Sequence, residues 1–293
     1  MALIQWYPGH IAKAERQLKE QLKRVDVVLE VIDARIPLAS QHPDVPLWIG
    51  DKPKLVILNR VDMITEALQE EWLEWFRAQD QAVYYANAKQ GTGVKAISKA
   101  AQQAGKAVNE KRLRRGMQPR PIRAVVMGFP NVGKSALINR LLGRKVVESA
   151  RRAGVTRQLR WIRISDSLEL LDSPGVIPLK LNNQENALKL AICEDIGEAA
   201  YENQAVAIAL IDGLLTLGFD QSLMDRYQVA PNQMNGDLYL IALADARYNG
   251  DRERGAVQLL NDFRKGLLGP IPLELPPPIK HNASNPAAVD MPL

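Results

Sequence analysis

The 293-residue chain has a single cysteine, Cys193, and three histidines. One thiol excludes an internal disulfide framework and fits a reducing cytosol, and the same scarcity of Cys and His argues against a zinc site. Long hydrophobic runs are lacking too. The longest strongly apolar stretch, Ala205 to Ile211, is far too short to span a bilayer. Charged and polar residues occupy the first twenty positions with no apolar core of the secretory kind. A membrane partner is therefore not expected, and the cytoplasm is the expected location. No internal repeat is visible. What is there is an ordinary globular composition, 46% hydrophobic and 24% charged, at a length that allows one large domain and a smaller one.

One stretch organises the rest. Gly128-Phe129-Pro130-Asn131-Val132-Gly133-Lys134-Ser135 fits the G-x-x-x-x-G-K-[ST] pattern. Before it runs the apolar, β-type segment Ile122–Met127; after it, Ser135 to Leu142 has helical spacing and stops at Gly143. Strand, glycine loop and helix start are what phosphate binding needs, because glycines let successive N–H groups turn inward and the helix N-terminus adds partial positive charge. Lys134 is placed to reach β- and γ-phosphates, and the Ser135 hydroxyl to bind Mg2+.

The net charge of +5 is modest, but it is clustered. Residues 106–123 hold Lys106, Lys111, Arg112, Arg114, Arg115, Arg120 and Arg123 against Glu110; residues 144–163 hold seven basic residues against Glu148. Such clusters favour a polyanion. A solvated charged face is the plainer alternative, but two arginine-rich segments flanking one nucleotide loop point to RNA, and no DNA partner is expected.

Along the chain, strands are expected at 25–32, 54–58, 82–86, 122–127, 159–164 and 168–171, alternating with helices near 11–24, after Thr65 and from Val94. This alternation predicts an α/β domain, a mostly parallel sheet with helices on both faces, over residues 1–180. From about Asn183 only helices are expected, near 184–200, 202–217, 221–228, 236–247 and 251–266, forming a small all-α domain over 181–275. Pro270 to Leu293, with three consecutive prolines, reads as a mobile tail, bounded in the domain division at 276–293.

Further motifs fall at strand ends, where open α/β sheets bind ligands. Asn59-Arg60-Val61-Asp62 resembles the Asn-Lys-x-Asp element of GTPases, whose carboxylate accepts two hydrogen bonds that guanine offers and adenine does not. Alone it would read as an Asx turn. Asn87-Ala88-Lys89 looks like the Ser-Ala-Lys element that backs the base, Asp172-Ser173-Pro174-Gly175 like Asp-x-x-Gly, and Thr156 like the switch threonine that closes on Mg2+. An ordinary GTPase runs phosphate loop first and guanine motif later. Here the order is reversed, so the domain is expected to be circularly permuted, with the basic linker around 104–121 joining the old ends.

Permuted order, Trp6-Tyr7-Pro8-Gly9-His10, Asp33-Ala34-Arg35-Ile36-Pro37 and a C-terminal helical region together resemble the circularly permuted GTPases that assemble the large ribosomal subunit, the RbgA/YlqF group. The resemblance covers about residues 4–275. It implies a ribosome-stimulated, monomeric GTPase that binds GTP or GDP, the large-subunit precursor and its rRNA, the last through a region that includes Tyr248–Ala256 and Asp262–Gly266. It implies nucleotide contacts from Asn59, Arg60, Asp62, Asn87, Ala88, Lys89, Asn131, Val132, Gly133, Lys134, Ser135, Ala136, Thr156 and Gly175. Mg2+ is implied at Ser135, Thr156 and Asp172. Catalysis is implied at His10, Lys134, Thr156 and Gly175. Val176 and Ile177 stand where a Ras-type glutamine would orient water and cannot do so, and the resemblance points to His10 instead; capping the following helix or contacting RNA are its alternatives. Asn131 matches an asparagine that in related GTPases helps hold K+, against a plain loop role. Arg60 departs from the usual lysine. Two other readings stay open: another P-loop ATPase or nucleotide kinase, with Asn59 and Asp62 as turn residues, and an RNA-binding module that holds guanine nucleotide without hydrolysing it.

Overall fold

A computed structural model of the chain describes residue 4 and residues 9–144, 160–173 and 183–279, with the backbone alone at 9–14 and 199. Six strands form one sheet: β1 (Val27–Asp33), β2 (Lys54–Asn59), β3 (Ala82–Ala86), β4 (Ile122–Met127), β5 (Arg160–Ser165) and β6 (Leu168–Asp172). The order is β3-β2-β1-β4-β6-β5, parallel except for β5 against β6. β1 lies in the interior and is buried along its whole length, which is why its apolar residues fall on both faces rather than alternating, with Glu30 and Asp33 as buried exceptions.

Side-chain alternation sorts the helices onto two faces. Val28, Val125, Met127 and Leu171 meet Leu18 and Leu22 of α1 (Gly9–Leu22) and Val45 and Ile49 of the short α2 (Val45–Ile49). Ile32, Val56 and Leu58 continue that face under α3 (Glu66–Ala78), whose Trp72 and Phe76 are fully buried. Thr65 caps α3 as expected, its hydroxyl accepting from the Leu68 N–H at 3.3 Å. On the opposite face Val27, Leu29, Val31, Ala124 and Val126 pack under α4 (Val94–Arg114) and α5 (Lys134–Leu142).

The strand order carries the permutation. β4, which delivers the phosphate loop, sits between β1 and β6, while β2 and β3, which deliver the guanine-type motifs, precede it in sequence. The join is α4, which starts just beyond the carboxyl end of β3 and runs to the opposite edge of the sheet. There Asn109 bonds Arg120 of the linker, and Arg120 forms a bidentate pair with Asp26 just before β1. The basic stretch is thus largely helical: Lys111, Arg112 and Arg114 sit in the last turn of α4, where the helix dipole favours cations.

The helical half comprises α6 (Gln184–Ile192), α7 (Asn203–Thr216), α8 (Asp220–Tyr227), α9 (Gly236–Tyr248) and α10 (Arg252–Arg264), with α7 packed on α9 and α10. Its core is continuous with the α4–α5 side of the sheet core. Two expectations are corrected. The helix expected over 184–200 ends at Ile192, because Glu194 turns left-handed (φ 65°) and the Asp195 N–H reaches back to the Leu190 carbonyl, which closes the helix. The tail expected from Pro270 packs down at first: Ile271, Leu273 and Glu274 are buried, and the Glu274 carboxylate accepts from the N–H groups of Leu38 and Ala39. Among the described residues no helix is long and apolar enough to cross a membrane.

Candidate functional site

The phosphate loop leaves β4 at Gly128 and enters α5 at Lys134. Both glycines are dictated by neighbours as well as by their backbone. At Gly128 (φ 147°) a Cβ would lie 2.2 Å from the Val31 carbonyl oxygen, and at Gly133 (φ 101°) one would lie 2.2 Å from Asn59 Nδ2. Lys134 is 6% exposed, and its ammonium donates to the carbonyls of Gly128 (3.1 Å) and Phe129 (2.6 Å). Burial pushes it down to about 8, against the opposing pull of Asp172 and Asp195. A phosphate oxygen in this cradle would meet a buried cation and a helix N-terminus together.

The guanine-type motif is built onto that loop. Asp33, Asn59 and Ala86 fall in one register row at the carboxyl edge of the sheet. Asn59 Nδ2 donates to the Val132 carbonyl (2.7 Å), while its Oδ1 accepts from the Ala88 N–H (3.0 Å). One buried carboxamide therefore ties the phosphate loop to the Asn87-Ala88-Lys89 loop. Asp62, in a 3-10 turn just past β2, is exposed, so its carboxylate is available as an acceptor; Lys89 is exposed as well. Asn87 is buried, with Oδ1 accepting from the Gln90 N–H and Nδ2 without a partner among the described residues. Arg140 of α5 fixes the same loop through the carbonyls of Ala88 and Lys89.

Asp172 ends β6 opposite Val126 of β4, beside the phosphate loop. It is 2% exposed, its Oδ1 has no hydrogen-bond partner among the described residues, and burial pushes its carboxyl up to about 6 despite Lys134 and Arg160. An orphaned buried carboxylate oxygen is costly unless a cation uses it. With the Ser135 hydroxyl at the start of α5, the donor set is hard oxygen, which fits Mg2+. Ser173 is held by the Val126 carbonyl at 2.7 Å.

A buried charge cluster lies at the same edge, and its pairing was not foreseen from the sequence. Asp33 and Arg35 are both fully buried and paired twice, at 3.0 and 2.7 Å, and Arg60 Nη1 reaches the same carboxylate at 2.7 Å. Burial alone would raise the Asp33 carboxyl, but Arg35 and Arg60 outweigh it and hold the group at about 2. Asp195, from the helical half, is fully buried with neither oxygen hydrogen-bonded among the described residues, and burial together with the Asp33 charge pushes it up to about 8. Asp33 and Arg35 were visible only as part of a family motif. Asp195 follows an apolar helix and carries no local signal.

Asn59, Arg60, Asn87, Ala88, Asn131, Gly133 and Lys134 are thus brought together, with Asp62, Lys89, Ser135 and Asp172 around them. Thr156 and Gly175 lie outside the described residues. His10 falls in the first turn of α1, and its side chain lies outside what is described.

A family described as 50S ribosome-binding GTPase matches residues 123–235. The chain is 35% identical over 282 residues to the ribosome biogenesis GTPase A of Bacillus cereus, covering 94% of each, and 30% identical over 203 residues to that of Thermotoga maritima, covering 69% of this chain and 70% of the relative. The GDP-bound YlqF structure from T. maritima superposes with a TM-score of 0.61 at 24% identity, over 89% of this chain and 99% of that one, which speaks for the fold. With that identity over nearly the whole of both chains, the chain belongs to the ribosome biogenesis GTPase A family and is a GTPase.

Proposed function

We propose that this GTPase, a factor of ribosomal-subunit assembly, acts on the precursor of the large subunit and binds its rRNA according to the nucleotide it holds. The nucleotide side of the reading is carried by the Asn59 bridge, which ties the guanine-type motif to the phosphate loop, and its ribosomal side by the family. In the proposed cycle Asp62 reads guanine, the Ala88 region backs the base, and Lys134 holds the β- and γ-phosphates. Ser135, Asp172 and Thr156 would hold Mg2+, the usual requirement of GTPase families, which when bound neutralises developing phosphate charge. Lys134 places a positive charge where the transferred phosphoryl gains negative charge. His10 orients the attacking water, Gly175 reports the γ-phosphate, and Asn131 helps hold K+. The protein works as a monomer in the cytoplasm.

We assign the rRNA contact to two surfaces. The helical half, residues 181–275, is one. The other is the end of α4, where Lys106, Lys111, Arg114 and Arg115 are exposed together with Leu113 and Met117. Charge mixed with apolar surface suits a nucleic acid, phosphates meeting the cations and bases covering the apolar groups.

The test is GTP hydrolysis with and without purified large subunits, in K+ and in Na+ buffers. Strong stimulation by the subunit, lost in His10→Ala while GTP binding persists, is the expected result, with higher activity in K+. An absence of stimulation in every buffer refutes the large-subunit reading, and equal competition by ATP refutes the guanine site.

A further inference from the structure

Arg60 stands where the family motif has lysine, and its surroundings use what a lysine lacks. The guanidinium bridges three elements: Nη1 donates to Asp33 Oδ2 at 2.7 Å and lies 3.4 Å from the Cys193 carbonyl, and Nη2 donates to the Asn131 carbonyl at 2.6 Å. A planar fork of five donors can do this; a single ammonium cannot span the three acceptors.

The turn it meets is unusual. Glu194 is left-handed without being glycine, a conformation that persists only where the surroundings hold it. Its carbonyl accepts from Asn131 Nδ2 at 2.7 Å, while Arg264 of α10 caps the Ile192 and Ala191 carbonyls at 3.0 and 2.9 Å. The carbonyl end of α6 is therefore clasped by α10 on one side and by the phosphate loop and Arg60 on the other. Asp195 adds a buried carboxyl, both oxygens otherwise unbonded, 3.9 Å from Arg60 Nη1. It is a second acceptor within a short movement of the same donor.

We propose that Arg60 is a positioning residue that couples the phosphate loop to the helical half, carrying the arrival of nucleotide phosphate at Asn131 into the Cys193–Asp195 turn and α6. This rests on guanine-nucleotide binding at the site above. The contact runs through space and does not use the chain between β6 and α6.

Amide hydrogen exchange on the full chain, with and without a non-hydrolysable GTP analogue, tests it. In the wild-type protein the analogue slows exchange of the Glu194 and Asp195 amides about fivefold or more. In Arg60→Lys, which keeps the charge and the usual motif residue, the effect at the turn falls below about twofold, while the Ala88 amide stays protected and reports that nucleotide is bound. Asp195→Asn, which leaves the guanine motif intact, also weakens the effect at the turn. A wild-type turn indifferent to nucleotide overturns the proposal, as does full coupling retained in Arg60→Lys. Should Arg60→Lys lose nucleotide altogether, Asp195→Asn decides, and a fivefold effect kept there overturns it. A wild-type protein in which the Lys134 and Ala88 amides ignore the analogue would instead remove the nucleotide reading itself.

Discussion

Asn59 is the most exacting point of the site, because its side chain is structural before it is functional. It is 3% exposed, donates to the Val132 carbonyl at 2.7 Å and accepts from the Ala88 N–H at 3.0 Å. Replacing it with alanine removes two hydrogen bonds, each worth about 1 kcal/mol net, and leaves two buried backbone groups unpaired at about 1–3 kcal/mol each where water cannot reach them. Partial relaxation brings the expected loss to about 2–4 kcal/mol in the nucleotide-free protein. Asn59→Asp retains the acceptor for Ala88 but sets a carboxylate oxygen 2.7 Å from the Val132 carbonyl oxygen, two acceptors facing each other in a buried place. The aspartate variant is therefore expected to be the less stable of the two, although it is nearly isosteric. Urea unfolding without nucleotide gives the stabilities, and a fluorescent GTP analogue gives the affinities, expected to fall at least about tenfold in both. A loss below about 1 kcal/mol in the alanine variant, or an aspartate variant more stable than the alanine one, would refute the bridging role. Asn59 would then be a residue that meets the base from an otherwise independent loop.

Three further outcomes follow from the charges. Asp33 is held at about 2 in the folded chain against 3.8 unfolded, so it contributes about 2 kcal/mol above pH 4, lost as pH falls from 4 towards 2; Asp33→Asn should flatten that part of an acid-unfolding curve, and an unchanged curve would contradict the pairing. In the proposed site Lys134 receives phosphate in its charged form and Asp172 receives Mg2+ in its ionised form, so Mg2+-dependent nucleotide binding should be strongest between about pH 6 and pH 8, weakening on the acid side as Asp172 protonates and on the alkaline side as Lys134 loses its proton. Calorimetric titrations across that range check it, and a flat profile would count against the buried settings of both groups. Replacing Lys111, Arg114 and Arg115 together by alanine should reduce the slope of log affinity for large subunits against log salt by about 2–3 with GTP hydrolysis by the free protein unchanged; an unaltered slope would remove the α4 end from the proposed RNA interface.

How much of this was legible depends on whether the signal is local. β3 and β4 begin and end where the apolar runs do, and Thr65 caps α3, because strand propensity, helix period and capping act over a few residues. The phosphate loop was legible for the same reason: its glycines, lysine and serine are consecutive. The end of α6 was not, since no glycine or proline marks it and Glu194 takes the left-handed place usually filled by glycine. Nor was the packing of Leu273 and Glu274, which lies in bonds to Arg35, Leu38 and Ala39 more than two hundred residues away. The same holds for Asp195, whose meaning comes from Asp33 and Arg60 brought beside it by the sheet.

The permutation has a physical consequence of its own. By making α4 the join, it carries the chain from the nucleotide edge of the sheet to the opposite edge, where the Arg120–Asp26 pair and the Asn109–Arg120 bonds pin the linker. The exposed cations at the end of α4 therefore sit at the pole away from Lys134. The helical half, by contrast, meets the nucleotide edge directly through Arg35, Arg60 and Asn131. RNA held at the α4 end can feel the nucleotide only through a sheet whose central strand is buried throughout and close-packed. RNA held by the helical half can feel it through a turn bonded to the phosphate loop. Affinity and nucleotide dependence should then separate: loss of α4 cations weakens subunit binding equally with GTP analogue and with GDP, whereas Arg60→Lys changes the ratio between the two. Binding assays in both nucleotide states distinguish these outcomes, and a change of ratio in the α4 variants would mean that the two poles are not independent.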